Sequence, residues 1–396
     1  MNRTLSLVAA LLFLAAAPAL SLAQNTAPTP IVSGEQVTIH SEIMGEDRPV
    51  MIHKPAVYDQ TSTPYPVLYL LDGNAHFLHT AGIIQFLSSI GYMSPMLVVA
   101  LPNTDRTRDL TPARSTEDTR FPTSGGADTF LDFIADELMP YVEATYRTAP
   151  YKVLVGHSFG GLFAVHALLT RPEAFDAYIA ISPSLWWDNK ALLPKAETFF
   201  TEHRDLEGYL YMTIGNEGGS MLAGNWGLAG ILEEKAPAGF EWHFDYMEQE
   251  THGSIPHRTT YNALETLYAD WRIANPGRLF DEGGLEALDA HYATLSEKFG
   301  YEIITPEATV NSMGYRLIGQ NKPEEAIAVL QRNVEVYPTS VNVYDSLGDA
   351  YDANEQFDMA KVNYEKACSM GRASNHPSTA IYCANLDRIT EKMGSQ

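Results

Sequence analysis

Tyr151-Lys152-Val153-Leu154-Val155-Gly156-His157-Ser158-Phe159-Gly160-Gly161 is the stretch on which the reading of this chain turns. A short apolar run ends in Gly-x-Ser-x-Gly and passes directly into Leu162-Phe163-Ala164-Val165. That order predicts a buried strand, a sharp turn and a helix, with Ser158 at the tip of the turn. The flanking glycines are expected where two backbone segments meet with no room for a Cβ. The N-terminus of the following helix would add a positive field beside the serine, where negative charge could develop.

Working outward, the residues on both sides repeat this rhythm. Apolar runs at 67–71, 96–101, 153–155, 178–181, 209–214 and 240–247 alternate with helical stretches at 128–146, 159–170, 190–203 and 257–271. Continuous apolar runs suit strands covered on both faces, and their alternation with helices predicts an α/β domain with a mostly parallel sheet. Ahead of it, 37–43 and 49–53 flank Gly45-Glu46-Asp47 and read as a hairpin. Asn275-Pro276-Gly277 then breaks the pattern, and the remainder is helical in character. Gly314 and Gly348 lie 34 residues apart, as do Ala326 and Ala360, and Pro338 falls between the two units. With Leu347-Gly348-x-x-Tyr351, this spacing resembles tetratricopeptide repeats, in which small residues let paired helices approach. Ala373 to Lys392 fits a capping helix, and residues 285–299 a helix joining the modules.

A serine hydroxyl needs a base, and the base needs an orienting acid. In nucleophile elbows of this type the chain order is serine, acid, histidine. His252, in Thr251-His252-Gly253-Ser254, follows the run 240–247 and fits the base; His243 and His257 are its rivals. Glu217, in Gly215-Asn216-Glu217-Gly218-Gly219, follows the run 209–214 and fits the acid, with Asp188 and Glu250 as alternatives. An oxyanion would need two backbone N–H groups. Phe159 should supply one, and Gly73 or Asn74, after the run 67–71, the other.

Five segments together resemble the esterase D-like "putative esterase" family of α/β-hydrolases, whose familiar members include siderophore esterases. They are Tyr69-Leu70-Leu71-Asp72-Gly73, Asn103 to Pro112, Gly156 to Gly161, Ser182-Pro183-Ser184-Leu185-Trp186-Trp187-Asp188 and His252-Gly253-Ser254. The resemblance spans roughly 37–271. It implies a serine and histidine ester hydrolase that needs no cofactor and no metal. By the same analogy Arg106 would hold an acidic or phenolic group of the substrate. Trp186 and Trp187 would line its pocket or pack as core aromatics, and His157 would be a further substrate contact. The resulting organisation is a signal peptide at 1–23, a tether at 24–36, the α/β-hydrolase domain at 37–274, a linker and connecting helix at 275–305, and the helical repeats at 306–396.

Composition narrows the partners. A net charge of -23 repels phosphate, so neither nucleic acid nor an anionic membrane suits this chain. Arg3, the apolar stretch 5–22 and Ser21-Leu22-Ala23 read as a cleavable export signal, placing the protein in the periplasm or outside the cell with no stable membrane anchor. Cys368 and Cys383 are the only cysteines; they either form one disulfide across neighbouring helices or are small buried residues. His76-Phe77-Leu78-His79 has one-turn helical spacing but no accompanying carboxylates for a catalytic metal. Hydrolysis of a small-molecule ester leads. An acyltransferase with the same triad is the second reading, and a scaffold binding a protein or peptide through the repeats is the third.

Overall fold

The computed structural model describes residues 30–60, 62–114 and 119–395. The expected signal segment and residues 24–29 of the tether therefore lie outside the described residues. Eight strands form one sheet: β1 (Glu35–Ser41), β2 (Glu46–His53), β3 (Tyr65–Leu70), β4 (Leu97–Ala100), β5 (Thr148–His157), β6 (Ala177–Ile181), β7 (Gly208–Gly215) and β8 (Phe240–Met247). Their order is β1-β2-β4-β3-β5-β6-β7-β8. The hairpin β1–β2 and the β2–β4 pair are antiparallel, and every other neighbour is parallel. Gly45 turns the hairpin at a φ of 65°, which glycine reaches without a Cβ clash.

Strand alternation sends side chains to two covered faces. Tyr69, Leu71, Leu154, Tyr178 and Met212 face one core, which is closed by the helix Phe159–Thr170 and by the helical segment running from Ala127 to Thr145. Leu68, Leu70, Val153, Val155 and Ile179 face the other, under the helices Gly73–Ser89 and Ile255–Leu267. We refer to Gly73–Ser89 as α1, Phe159–Thr170 as α2 and Ile255–Leu267 as α3. The result is the α/β architecture that the apolar runs predict, a mostly parallel sheet between two helical layers. The helix Gly219–Lys235 had no periodic signal to announce it, since four of its residues are glycine.

Beyond the sheet stand α4 (Pro276–Phe299), α5 (Glu307–Gly319), α6 (Pro323–Val336), α7 (Val341–Ala353), α8 (Phe357–Ser374) and α9 (Thr379–Gly394). Contacts join the chain from Ser33 onward into one compact unit. The reason is α4. Its Leu288 packs among Val310, Met313 and Leu330, while Tyr292, Leu295 and Phe299 pack with Tyr151, Tyr268 and Trp271 beneath the sheet. The helix is broken at Gly284 (φ 68°), so its continuous part starts where the joining helix is expected. The 34-residue period has a steric cause. A Cβ on Gly314 would lie 2.5 Å from Leu330, and one on Gly348 would lie 2.6 Å from Tyr364, so each glycine lets α5 seat on α6 and α7 on α8. Cys368 and Cys383 form a disulfide between α8 and α9, with Cα atoms 4.7 Å apart. No helix among the described residues is long and apolar enough to cross a membrane.

Candidate active site

Every candidate catalytic group sits past the C-terminal end of a parallel strand, where open α/β sheets place their ligands. β5 ends at His157 and α2 starts at Phe159, leaving Ser158 alone between them at φ 61° and ψ −113°. For a residue with a Cβ this conformation costs about 1–3 kcal/mol, which the surrounding structure must offset. The glycines show how. A Cβ on Gly156 would lie 2.1 Å from the carbonyl oxygen of Gly160, and one on Gly161 would lie 2.9 Å from the Ile181 carbonyl and from Pro183. Gly160 itself is less restricted, its Cβ position lying 3.3 Å from the Asp72 carboxylate. The forbidden positions are therefore Gly156 and Gly161, and the motif's last glycine serves mainly through its backbone.

Glu217 follows β7 and His252 follows β8. Nδ1 of His252 lies 2.6 Å from Oε2 of Glu217. The other carboxylate oxygen, Oε1, accepts a hydrogen bond from the Ser182 hydroxyl at 2.7 Å. Burial pushes the Glu217 carboxyl up, but His252 and Ser182 outweigh it and hold it below its ordinary value. The two loops are tied by backbone as well: the Asn216 N–H donates to the Glu250 carbonyl at 2.7 Å, and Gly215 has no room for a Cβ against that carbonyl. The rivals lie elsewhere. His243 is in β8 beside Glu241, and His257 is on α3 against His79. Glu250 binds Arg258 and Ser254, and Asp188 is exposed in a left-handed run with Asn189 and Lys190.

The Ser158 hydroxyl lies 3.3 Å from that of Ser184, and among the described residues it forms no hydrogen bond with His252. Catalytic hydrogen bonds of this kind often close only with substrate present. Ser184 is buried, and its N–H donates to the Ser158 carbonyl at 3.0 Å, so the Ser182-Pro183-Ser184 segment touches both acid and nucleophile. Nothing in the composition of that tripeptide marks it. Its recurrence in the family pattern is the one signal it carries.

Of the two oxyanion candidates after β3, Gly73 donates its N–H to the Leu101 carbonyl at 2.9 Å, which takes it out of the role. Its lack of a Cβ is explained by the backbone at Leu101 and Pro102, 3.0 Å from the Cβ position. The Asn74 N–H, in the first turn of α1, and the Phe159 N–H, in the first turn of α2, make no hydrogen bond among the described residues. First-turn donors are left over by helix geometry. The first turn of α2 thus leaves a free N–H next to the nucleophile in the chain, and the first turn of α1 leaves another at Asn74.

Arg106 reaches the site with two of its three guanidinium nitrogens engaged within the protein. Nε and Nη2 donate to the two oxygens of Asp72 at 2.6 and 2.9 Å, and Nη2 also donates to the His157 carbonyl at 3.1 Å. Asn103 donates to Asp72 at 2.6 Å. Asp72 itself holds a left-handed turn (φ 54°) at the start of α1, buried at 4% exposure. Burial pushes its carboxyl up, yet Arg106 and Asn103 bring it below its ordinary value. Trp187 is core: it is buried and donates its ring N–H to the Ala113 carbonyl. Trp186 is half-buried, its ring 6.1 Å from Phe159, and Phe121 adds an edge-on contact to Phe159 at 5.5 Å. His157 lies between the rings of His252 and His76.

Residues 41–210 match the family model described as "Putative esterase". The siderophore triacetylfusarinine C esterase of Aspergillus fumigatus is 31% identical over 256 residues, covering 60% of this chain and 81% of that protein. The ferri-bacillibactin esterase of Bacillus subtilis is 34% identical over 173 residues, covering 38% of this chain and 58% of the relative. Among solved structures, an IroE-like serine hydrolase from Shewanella oneidensis superposes with a TM-score of 0.66 at 31% identity, covering 76% of this chain and 99% of that one. With four-fifths of the fungal relative covered at that identity, and with the elbow and sheet order described above, the chain belongs to the "Putative esterase" family of α/β serine hydrolases.

Proposed function

We propose that the protein hydrolyses a carboxylic ester through an acyl-enzyme on Ser158. The observation that carries this reading is the strained serine between β5 and α2, with a paired His252 and Glu217 on the loops after β8 and β7 and the His252 ring 4.5 Å from that of His157, the residue before the serine. Ser158 leaves Ser184 and donates its proton to His252 as its oxygen attacks the carbonyl carbon. Glu217 orients the ring and stabilises the imidazolium that forms, without taking a proton itself. The N–H groups of Phe159 and Asn74 donate hydrogen bonds to the developing oxyanion. The tetrahedral adduct expels the alcohol, protonated by His252, and water activated by the same histidine then releases the acid.

Phe121, Phe159 and Trp186 form the apolar ground near the nucleophile, and we assign them to the acyl or aryl part of the substrate. Siderophore esters, the substrates for which the relatives are named, are the first candidates. The disulfide supports an oxidising compartment and hence export. The division at 274 into a hydrolase domain and a helical module of tetratricopeptide type is retained as part of this proposal, with a protein or peptide as the partner the helices would suit.

Release of p-nitrophenol from short and medium acyl esters tests the core claim. Ser158→Ala should lower kcat by about 10⁴-fold or more. Equal activity in wild type and variant would remove Ser158 from the mechanism.

A further inference from the structure

A row of histidines runs from the triad past α1 to the exposed His257, and the chemistry above uses only its first member. The His157 ring lies 4.5 Å from the His252 ring, tilted by 41°. On its other side His76 meets it edge-on at 5.6 Å. His76 and His79, one turn apart on α1, share a hydrogen bond of 3.0 Å between Nδ1 and Nε2, and the His257 ring lies 5.4 Å beyond His79.

The two ends of the His157–His252 contact are unequally held. His157 closes β5 in register with Ile181 of β6, and its carbonyl accepts from Arg106. His252 stands on a loop, its side chain 41% exposed and tethered at one edge by Glu217. One ring nitrogen of His157, Nε2, is buried with no hydrogen-bond partner among the described residues. Burial, followed by the neighbouring His252 and His76, pushes its imidazole down to about 4, with Asp72 opposing and Arg106 reinforcing the shift. At neutral pH the ring is uncharged. A cation there would oppose the imidazolium that His252 must become. What the position supplies is a rigid, flat, neutral surface.

We infer that His157 is a positioning residue, the platform against which the His252 ring is held while it shuttles the proton of Ser158. This rests on the triad proposed above. Taking the offset ring away from a half-exposed catalytic histidine should slow turnover by about five- to tenfold.

The test is kcat and KM on p-nitrophenyl butyrate for His157→Ala, His157→Gln and His157→Phe, with melting temperatures, beside Ser158→Ala and His252→Ala. Ala and Gln should lose about five- to tenfold in kcat with KM unchanged, and Phe should recover most of the loss because it restores the ring. Wild-type kcat in His157→Ala, or a Phe variant as slow as Gln, overturns the platform and, in the second case, assigns the effect to a nitrogen. Should the Ala variant fail to fold, the Gln and Phe pair decides. Activity surviving in His252→Ala would instead overturn the triad, an outcome readable separately from the His157 series.

Discussion

Replacing Arg106 by Met separates two roles that a basic residue near an esterase centre can play. In the structure its guanidinium closes a bidentate pair on Asp72, whose side chain is only 6% exposed, while Arg106 remains 35% exposed. Removing one partner of a buried pair costs about 3–5 kcal/mol. The partial exposure of Arg106 and the remaining Asn103 bond reduce this, so about 2–3 kcal/mol is expected at pH 7. For a cooperative body of this size the loss corresponds to a melting temperature lower by roughly 3–4 °C. The pH dependence has a definite sign. The folded-state carboxyl of Asp72 lies below its ordinary value, so its contribution is present above the unfolded pKa and disappears as pH falls through the folded one. Without Arg106, burial alone raises the carboxyl. The deficit should therefore be largest near neutrality and should shrink as pH falls from the variant's raised carboxyl pKa to the depressed one of the wild type, since the unfolded chains titrate alike. Thermal unfolding at pH 7 and pH 4, with steady-state kinetics beside it, measures this. A variant with unchanged stability and a raised KM would refute the argument and return Arg106 to the substrate.

Three further outcomes follow from the geometry. Ser182→Ala removes a donor that helps hold Glu217 low, so the carboxyl should rise and kcat should fall a few-fold, with the acid side of the rate profile moving to higher pH. Asn74→Pro deletes the proposed oxyanion donor at a first-turn position, where proline is tolerated; kcat should fall about 10²–10³-fold with KM little changed, and retention of rate would exclude that N–H. Cys368→Ser with Cys383→Ser opens a loop of sequence separation 15 and should cost about 3 kcal/mol, read as faster amide exchange in α9 while ester hydrolysis persists. Loss of hydrolysis in that variant would show that the helices act on the site.

How far each feature is legible in the sequence follows how local its physical cause is. Ser158 is legible because strand, turn and helix are contiguous, and His252 and Glu217 because chain order substitutes for distance in a parallel sheet. The 34-residue period is legible because each glycine meets the adjacent helix, as Gly314 meets Leu330. Arg106 is placed at the site by analogy, but its pairing with Asp72 joins residues 34 apart through the ends of two strands, which no periodicity encodes. The choice between Gly73 and Asn74 depends on a carbonyl at Leu101, contributed by β4's exit. Trp187 carries the same residue type as Trp186 and differs only in which way the turn faces it. The histidine row combines β5, α1, α3 and the loop after β8, and each member alone looks like an ordinary histidine.

The two-sided helix α4 bears on how such a protein can be shortened over evolutionary time. Tyr292, Leu295 and Phe299 cover Tyr151, Tyr268 and Trp271 beneath the sheet, while Leu288 belongs to the core of the C-terminal helices. A stop codon placed before α4 would bare an aromatic floor of the enzyme part; one placed after it would leave a helix with half its apolar surface wet. Lineages can thus vary α5 to α9 by substitution, but cannot discard them by simple truncation without also repainting the underside of the sheet.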